Sequence, residues 1–216
     1  MSRSPPIVTK VLPGRDPIFA MTSLDDRVYV VRTDGKRVVE VYDAVTLSLE
    51  RRLPVPVSGS YYCVPGIAAC SLNKCLYLSD WSNRIIRCVD LATDAVKKWR
   101  VSGKPHGLSV NGNHNVIAAC LTDNKVLEIS DGRLVRQICL PECLGPPWHA
   151  IQLPTGDYVV SHWLSPCAVS VVGVDGRLLR SYGPSSSSDV GPNRPRCLAV
   201  TKHGDILLAH YRLLTR

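Results

Sequence analysis

The stretch Leu76-Tyr-Leu-Ser-Asp-Trp-Ser-Asn-Arg-Ile-Ile-Arg-Cys-Val-Asp90 reads as two short apolar runs joined by a polar turn. Its first run, Leu76–Ser79, aligns with Val28–Val31, Val116–Ala119, Tyr158–Ser161 and Ile206–Ala209. The steps between these anchors are 48, 40, 42 and 48 residues. Each of the first four copies carries about four strand-like runs, and a fifth copy carries two. Self-similarity at roughly 40–50 residues, with about four strands per unit, is the pattern of a β-propeller. One blade cannot bury both of its faces, so residues 1–216 are read as a single all-β propeller domain of about five antiparallel blades, four complete and one partial. The first strands are expected near Ile18–Ser23, Gly66–Ser71, His106–Val110, His149–Leu153 and Arg196–Val200. Hairpin turns are expected at Asp34-Gly35, Asn111-Gly112, Asp131-Gly132, Thr155-Gly156, Asp175-Gly176 and His203-Gly204. Residues 1–16 form an N-terminal segment whose apolar part, residues 7–12, is a candidate latch strand for the last blade.

Composition narrows the classes. A mean hydropathy of +0.03 and 45% hydrophobic residues are ordinary for a soluble protein, and no apolar run approaches membrane-span length. The first residues, Met1-Ser-Arg-Ser-Pro-Pro, contain no apolar signal core, so a reducing cytoplasmic setting is expected. None of the nine cysteines stands in C-x-x-C spacing, which disfavours a zinc ribbon, and most lie in apolar strand runs as small hydrophobes. Cys70 and Cys75 differ, because they flank the turn Ser71–Lys74 and a hairpin would bring them together. The net charge of +8 is concentrated in the second repeat and at the two ends.

The second repeat resembles an NHL repeat: an apolar strand, Asp80, then Asn83-Arg84-Ile85 opening the next strand, and a closing Asp90. Val174-Asp-Gly-Arg-Leu-Leu-Arg-Ser-Tyr-Gly183 is similar to that family's fourth strand, and Lys104-Pro-His-Gly-Leu-Ser-Val110 to its first. The resemblance runs from about Asp16 to His210. It implies a binding propeller of the kind found at the C-terminus of tripartite-motif ubiquitin ligases, where such domains take protein targets or RNA. NHL propellers usually have six blades, so an incomplete six-bladed ring is the companion expectation. No RING or B-box ligand spacing is present here.

Strand alternation puts the loops leading into the first strands and the turns between second and third strands on one face of the disc. The first set places Pro17-Ile18, Pro65-Gly66, Pro105-His106, Trp148-His149 and Pro195-Arg196 at the channel mouth, with His106 and His149 as counterparts. The second set is Thr33, Trp81, Leu121, Trp163 and Tyr211. Trp, Tyr and Arg are the side chains that concentrate binding energy at interfaces. The expected protein-binding face is therefore His106, Trp148, His149, Arg196, Trp81, Trp163 and Tyr211. Packing between blades is the competing role for the outer column.

The alternative partner is single-stranded RNA, through Arg84, Arg87, Lys97, Lys98, Arg100 and Lys104, cations interleaved with Trp99. If these cations share the face of Trp148 and Arg196, RNA gains; if they scatter round the rim, protein binding gains. A propeller hydrolase of the lactonase type needs oxygen ligands in the channel, and the mouth positions offer no acid. A zinc site would need a third ligand beside His106 and His149, and His162 and His210 belong to second strands. The expectation is no cofactor, no metal and no enzymatic activity. No nucleophile elbow or phosphate-binding glycine loop occurs. Asp80 and Asn83 are expected to close their own turn.

Overall fold

The computed structural model describes residues 12, 17–32, 38–55, 66–163, 168–183, 194–201 and 205–211. Of Arg194, Pro195, His210 and Tyr211 it describes the backbone alone. These residues form eighteen strands and no helix. Blade 1 is β1 (Ile18–Leu24), β2 (Arg27–Arg32), β3 (Val38–Asp43) and β4 (Leu49–Pro54). Blade 2 is β5 (Ile67–Cys70), β6 (Cys75–Asp80), β7 (Ile85–Asp90) and β8 (Val96–Arg100). Blade 3 is β9 (Pro105–Val110), β10 (Val116–Cys120), β11 (Lys125–Ser130) and β12 (Arg133–Cys139). Blade 4 is β13 (Pro147–Gln152), β14 (Tyr158–His162), β15 (Val169–Val172) and β16 (Leu178–Tyr182). The fifth sheet has two strands, β17 (Arg194–Val200) and β18 (Ile206–Tyr211). Every sheet is an antiparallel meander, so the all-β propeller expectation holds.

Period-two alternation builds the cores. In β6, Leu76 and Leu78 face blade 1, joining Tyr29, Val31, Val39 and Val41, while Cys75 and Tyr77 face blade 3. In β10, Val116, Ala118 and Cys120 face blade 2, while Ile117 and Ala119 join Tyr158 and Val160 of blade 4. A second strand thus serves two cores at once, which is why these runs are continuously apolar. The core between blades 4 and 5 is smaller: Ile151, Val159, Val169 and Leu198.

Local chemistry ends the strands. Asp43 closes β3 by accepting from the amides of Val45 and Thr46 and from the Thr46 hydroxyl, and Leu47 follows at φ 58°. Asp90 repeats this with Ala92 and Thr93, and Asp94 follows at φ 57°. The closing Asp of the repeat is therefore a turn-former. Asp131-Gly132 makes a two-residue hairpin with φ 44° and 77°, as expected. At Asn111-Gly112 the left-handed residue is instead His114, at φ 62°. The turns expected at Asp34-Gly35 and His203-Gly204, and nearly all of the latch at 7–12, lie outside the described residues.

The innermost strands pack in chain order, β1 on β5, β5 on β9, β9 on β13 and β13 on β17, and no substantial contact among the described residues brings β17 back to β1. They surround a central space of about 650 Å³.

Candidate interaction face

Bulges aim the mouth residues. The β13–β14 ladder pairs Pro147 with His162 and His149 with Ser161, and its register shifts in between, at Trp148. A comparable irregularity follows Pro105 in β9 and Pro195 in β17, spanning His106–Gly107 and Arg196–Cys197. An extra residue in one strand leaves its side chain outside the ladder and turns it outward. His106, Trp148 and Arg196 are therefore counterparts in successive blades. This corrects the pairing of His106 with His149: the steps of 42 and 48 residues between anchors carry position 106 to 148 and then to 196.

The re-aimed side chains meet. The His106 ring lies 3.9 Å from the Trp148 ring, centre to centre, tilted by 51°. Trp148 stacks on Trp163 at 4.5 Å and 19°. The Arg196 guanidinium lies over both indoles, 4.7 Å from Trp148 and 5.3 Å from Trp163. Trp163 is held by its own amide, which donates to Pro146 O at 2.7 Å. Inner and outer columns thus touch at this point and form one half-buried cation–aromatic cluster. Trp81 stands apart from it, half-buried, with Lys104 Nζ 5.2 Å from its ring centre. Thr33 lies outside the described residues, and so does the Tyr211 side chain.

His149 is placed differently from its neighbours. Its Nε2 donates to Leu108 O at 3.0 Å, and its Nδ1 accepts from Leu198 N at 3.2 Å. One neutral imidazole ties β9, β13 and β17 together, so His149 holds the ring and does not present a binding group. Burial pushes its pKa down. His106 is pushed down to about 4, first by burial, with Arg196 and His149 adding to the effect against a backbone contact with Trp148. His106 Nδ1 is buried without a hydrogen-bond partner among the described residues. His162 is also engaged: its Nδ1 faces Gly145 O and its Nε2 faces Ser170 Oγ, both at 2.7 Å.

Serines complete the inner stitching. Ser79 Oγ donates to His106 O and accepts from Gly66 N, both at 2.7 Å. Ser161 Oγ, its counterpart in blade 4, donates to Arg196 O at 2.9 Å. Close approach is enforced where inner strands meet: a Cβ on Gly107 would collide with the Trp148 carbonyl.

The expected RNA-facing cations do not form one surface. Arg87 is removed from it, because its side chain is 3% exposed and paired with buried Asp80 at 2.6 Å. The third strand turns it into the blade, where Asp80 also accepts from Asn83 Nδ2 at 2.9 Å, the turn closure expected of that pair. Lys97, Lys98 and Arg100 lie exposed on the outer strand β8. Exposed Arg84 and half-buried Lys104 lie on the face of Trp81. Among the described residues no group of three His, Cys, Asp or Glu side chains is placed to hold a metal ion.

No known family model matches the sequence, and no curated protein matches it. Solved structures do match in fold. Hydrazine synthase of Kuenenia stuttgartiensis superposes with a TM-score of 0.68 at 21% identity, over 94% of this chain and 58% of that one. A catalytically inactive virginiamycin B lyase from Staphylococcus aureus with quinupristin gives 0.69 at 13%, over 89% and 62%. The β-propeller domain of Cps50 (Swd1) from Myceliophteria thermophila gives 0.64 at 14%, over 94% and 65%. The chain spans less than two thirds of the length of each of these structures. Likeness at such identities establishes the architecture alone: the chain has the fold of a β-propeller, with matched neighbours that include enzymes.

Proposed function

We propose that this chain is a non-enzymatic, NHL-type binding propeller that engages a protein partner through the face bearing His106, Trp148, Trp163, Arg196 and Trp81. The observation that carries this reading is the cation–aromatic cluster at the channel mouth, with Arg196 4.7 Å from Trp148 and the two indoles 4.5 Å apart. Such a cluster is rigid and half-exposed, and it combines the residue types that dominate interface energetics. The NHL assignment rests on the second-repeat motif, and an association with ubiquitin ligation rests on that resemblance alone. The enzymes among the fold neighbours do not bear on this reading, since one fold serves many chemistries.

The test is a quantitative pull-down with the wild-type chain and a Trp148→Ala/Arg196→Ala variant whose circular dichroism matches it. Capture of the specific partner should fall at least about tenfold, a loss of roughly 1.4 kcal/mol or more. Unchanged capture overturns the site. Single-stranded RNA is the second reading, carried by Lys104 over Trp81 with exposed Arg84 beside it. Burial of Arg87 and the rim position of Lys97 and Lys98 weaken it. Filter binding at low salt distinguishes the two: retention of an oligonucleotide that falls steeply with added salt supports RNA, and no retention excludes it.

A further inference from the structure

On the opposite face of the disc, blades 2 and 3 enclose a cavity of about 730 Å³ that touches nothing in the Trp148 cluster. Cys75, Cys88, Tyr77, Trp99, Lys97 and His114 are among its lining residues. Alternation and register bring three thiols onto this side of blade 2. Cys70 pairs directly with Cys75 across β5 and β6, and Cys75 lies diagonally from Cys88, whose direct partner is Tyr77.

The three differ in what they can do. The Cys88 thiol is the largest influence on Cys75, and with the neighbouring Tyr77 hydroxyl it outweighs burial and lowers the Cys75 thiol to about 7. The Tyr77 hydroxyl in turn accepts from Asn73 Nδ2 at 3.3 Å, which fixes its orientation. Lys97 favours the thiolate and Asp90 opposes it, both from blade 2. From blade 3, His114 and Asp131 face the same cavity. Cys88 itself is pushed up. Directly opposed residues have Cα atoms about 4.5–5.5 Å apart, within disulfide range, whereas a diagonal pair is about 7–8 Å apart and outside it. Cys70 can therefore bond to Cys75 without moving the strands, and Cys88 cannot.

We propose that Cys75 is a peroxide-reactive thiol with Cys70, its cross-strand neighbour, as its resolving partner, in a cavity wall shared with Cys88 and Tyr77. The co-substrate class is a small hydroperoxide, because Cys75 is 3% exposed and reached through the cavity. The Cys75 thiolate attacks one oxygen of hydrogen peroxide, the O–O bond breaks, and hydroxide leaves, giving a sulfenic acid. The hydroxide takes up the proton that Cys75 had released and becomes water. Cys70 sulfur then attacks the Cys75 sulfur and expels water, with its proton first taken by His114, whose Nδ1 lies 3.8 Å from Cys70 Sγ, and then passed to the leaving oxygen. Two thiols are oxidised to one disulfide, and one peroxide is reduced to two waters.

The test uses the full chain, reduced, freed of reductant, exposed to hydrogen peroxide and digested with trypsin without reduction. Cleavage after Arg52, Lys74, Arg84, Arg87 and Lys97 puts the three thiols on separate peptides, residues 53–74, 75–84 and 88–97. A Cys63→Ser background leaves Cys70 as the sole thiol of the first. The expected product joins 53–74 to 75–84. It should form at least about tenfold faster than any oxidation of Cys120, a buried thiol pushed up to about 12. Cys70→Ser should abolish the link and leave Cys75 labelled by dimedone, and Tyr77→Phe should move the midpoint of Cys75 alkylation to higher pH. A link between 75–84 and 88–97, no link at all, or an unmoved midpoint overturns the proposal. The peptide map of the Cys63→Ser chain decides even if the Cys70 variant fails to fold.

Discussion

At the scale of single residues, histidines separate holding from presenting. His149 satisfies an amide of β17 and a carbonyl of β9 at once, so His149→Ala strands both groups. Two buried groups left unpaired cost about 1–3 kcal/mol each, and urea denaturation should show a loss of roughly 2–6 kcal/mol. Trp81→Ala, at a half-buried surface position, should cost well under half of that. The imidazoles also set an acid limit. His106, His149 and His162 are all pushed down in the fold by burial, so below about pH 6.5 the unfolded chain binds protons that the folded chain refuses. Stability is then complete above about pH 6.5 and falls as pH drops below it, with His106, which protonates in the fold at about 4, contributing on the order of 3 kcal/mol. Urea midpoints measured at pH 7, 5.5 and 4.5 should fall steadily, and the fall should be smaller in His106→Phe. None of this was legible in the sequence, which shows His149 beginning a strand but not the two neighbouring strands its nitrogens reach.

At the scale of elements, blades 3 and 4 are joined by a buried carboxylate. Burial raises Glu128, but donors from Asn115, Tyr158 and Asn111 outweigh it and hold its carboxyl below the usual range. Tyr158→Phe removes the donor that crosses from blade 4, and thermal unfolding should show a loss of about 1–3 kcal/mol. Strand identity was plainly legible, because a second strand such as β6 must be apolar on both faces, and its polar boundaries fall at Asp and Asn turns. Bulges were not, since nothing in Pro105-His106 or Pro147-Trp148 distinguishes an extra residue from an ordinary first strand position. The mouth column was half visible: the anchor spacing carries position 106 to 148 and 196, while His149 stands one residue out of that register. The cations of the second repeat look alike in sequence, yet the fold buries Arg87 on the third strand and exposes Lys97 on the outer one.

At the scale of the whole molecule, the propeller was readable because one short pattern recurs at nearly constant spacing, while partner and chemistry reside in side chains that the pattern does not constrain. Among the described residues the last sheet has two strands, with Ile206, Leu207 and Leu208 41%, 57% and 39% exposed. Exposed apolar strands invite pairing. Leu207→Lys in the 216-residue chain should therefore lower light scattering at fixed concentration without changing its circular dichroism. Site-specific photo-cross-linking reads directly whether the Trp148 face binds a protein partner. A photoreactive residue at Trp81, on that face, should give a discrete cross-linked product, and one at Leu134, 54% exposed on the outer strand of blade 3, should give none. Cross-linking from Leu134 with none from Trp81 would overturn the assignment of the binding face.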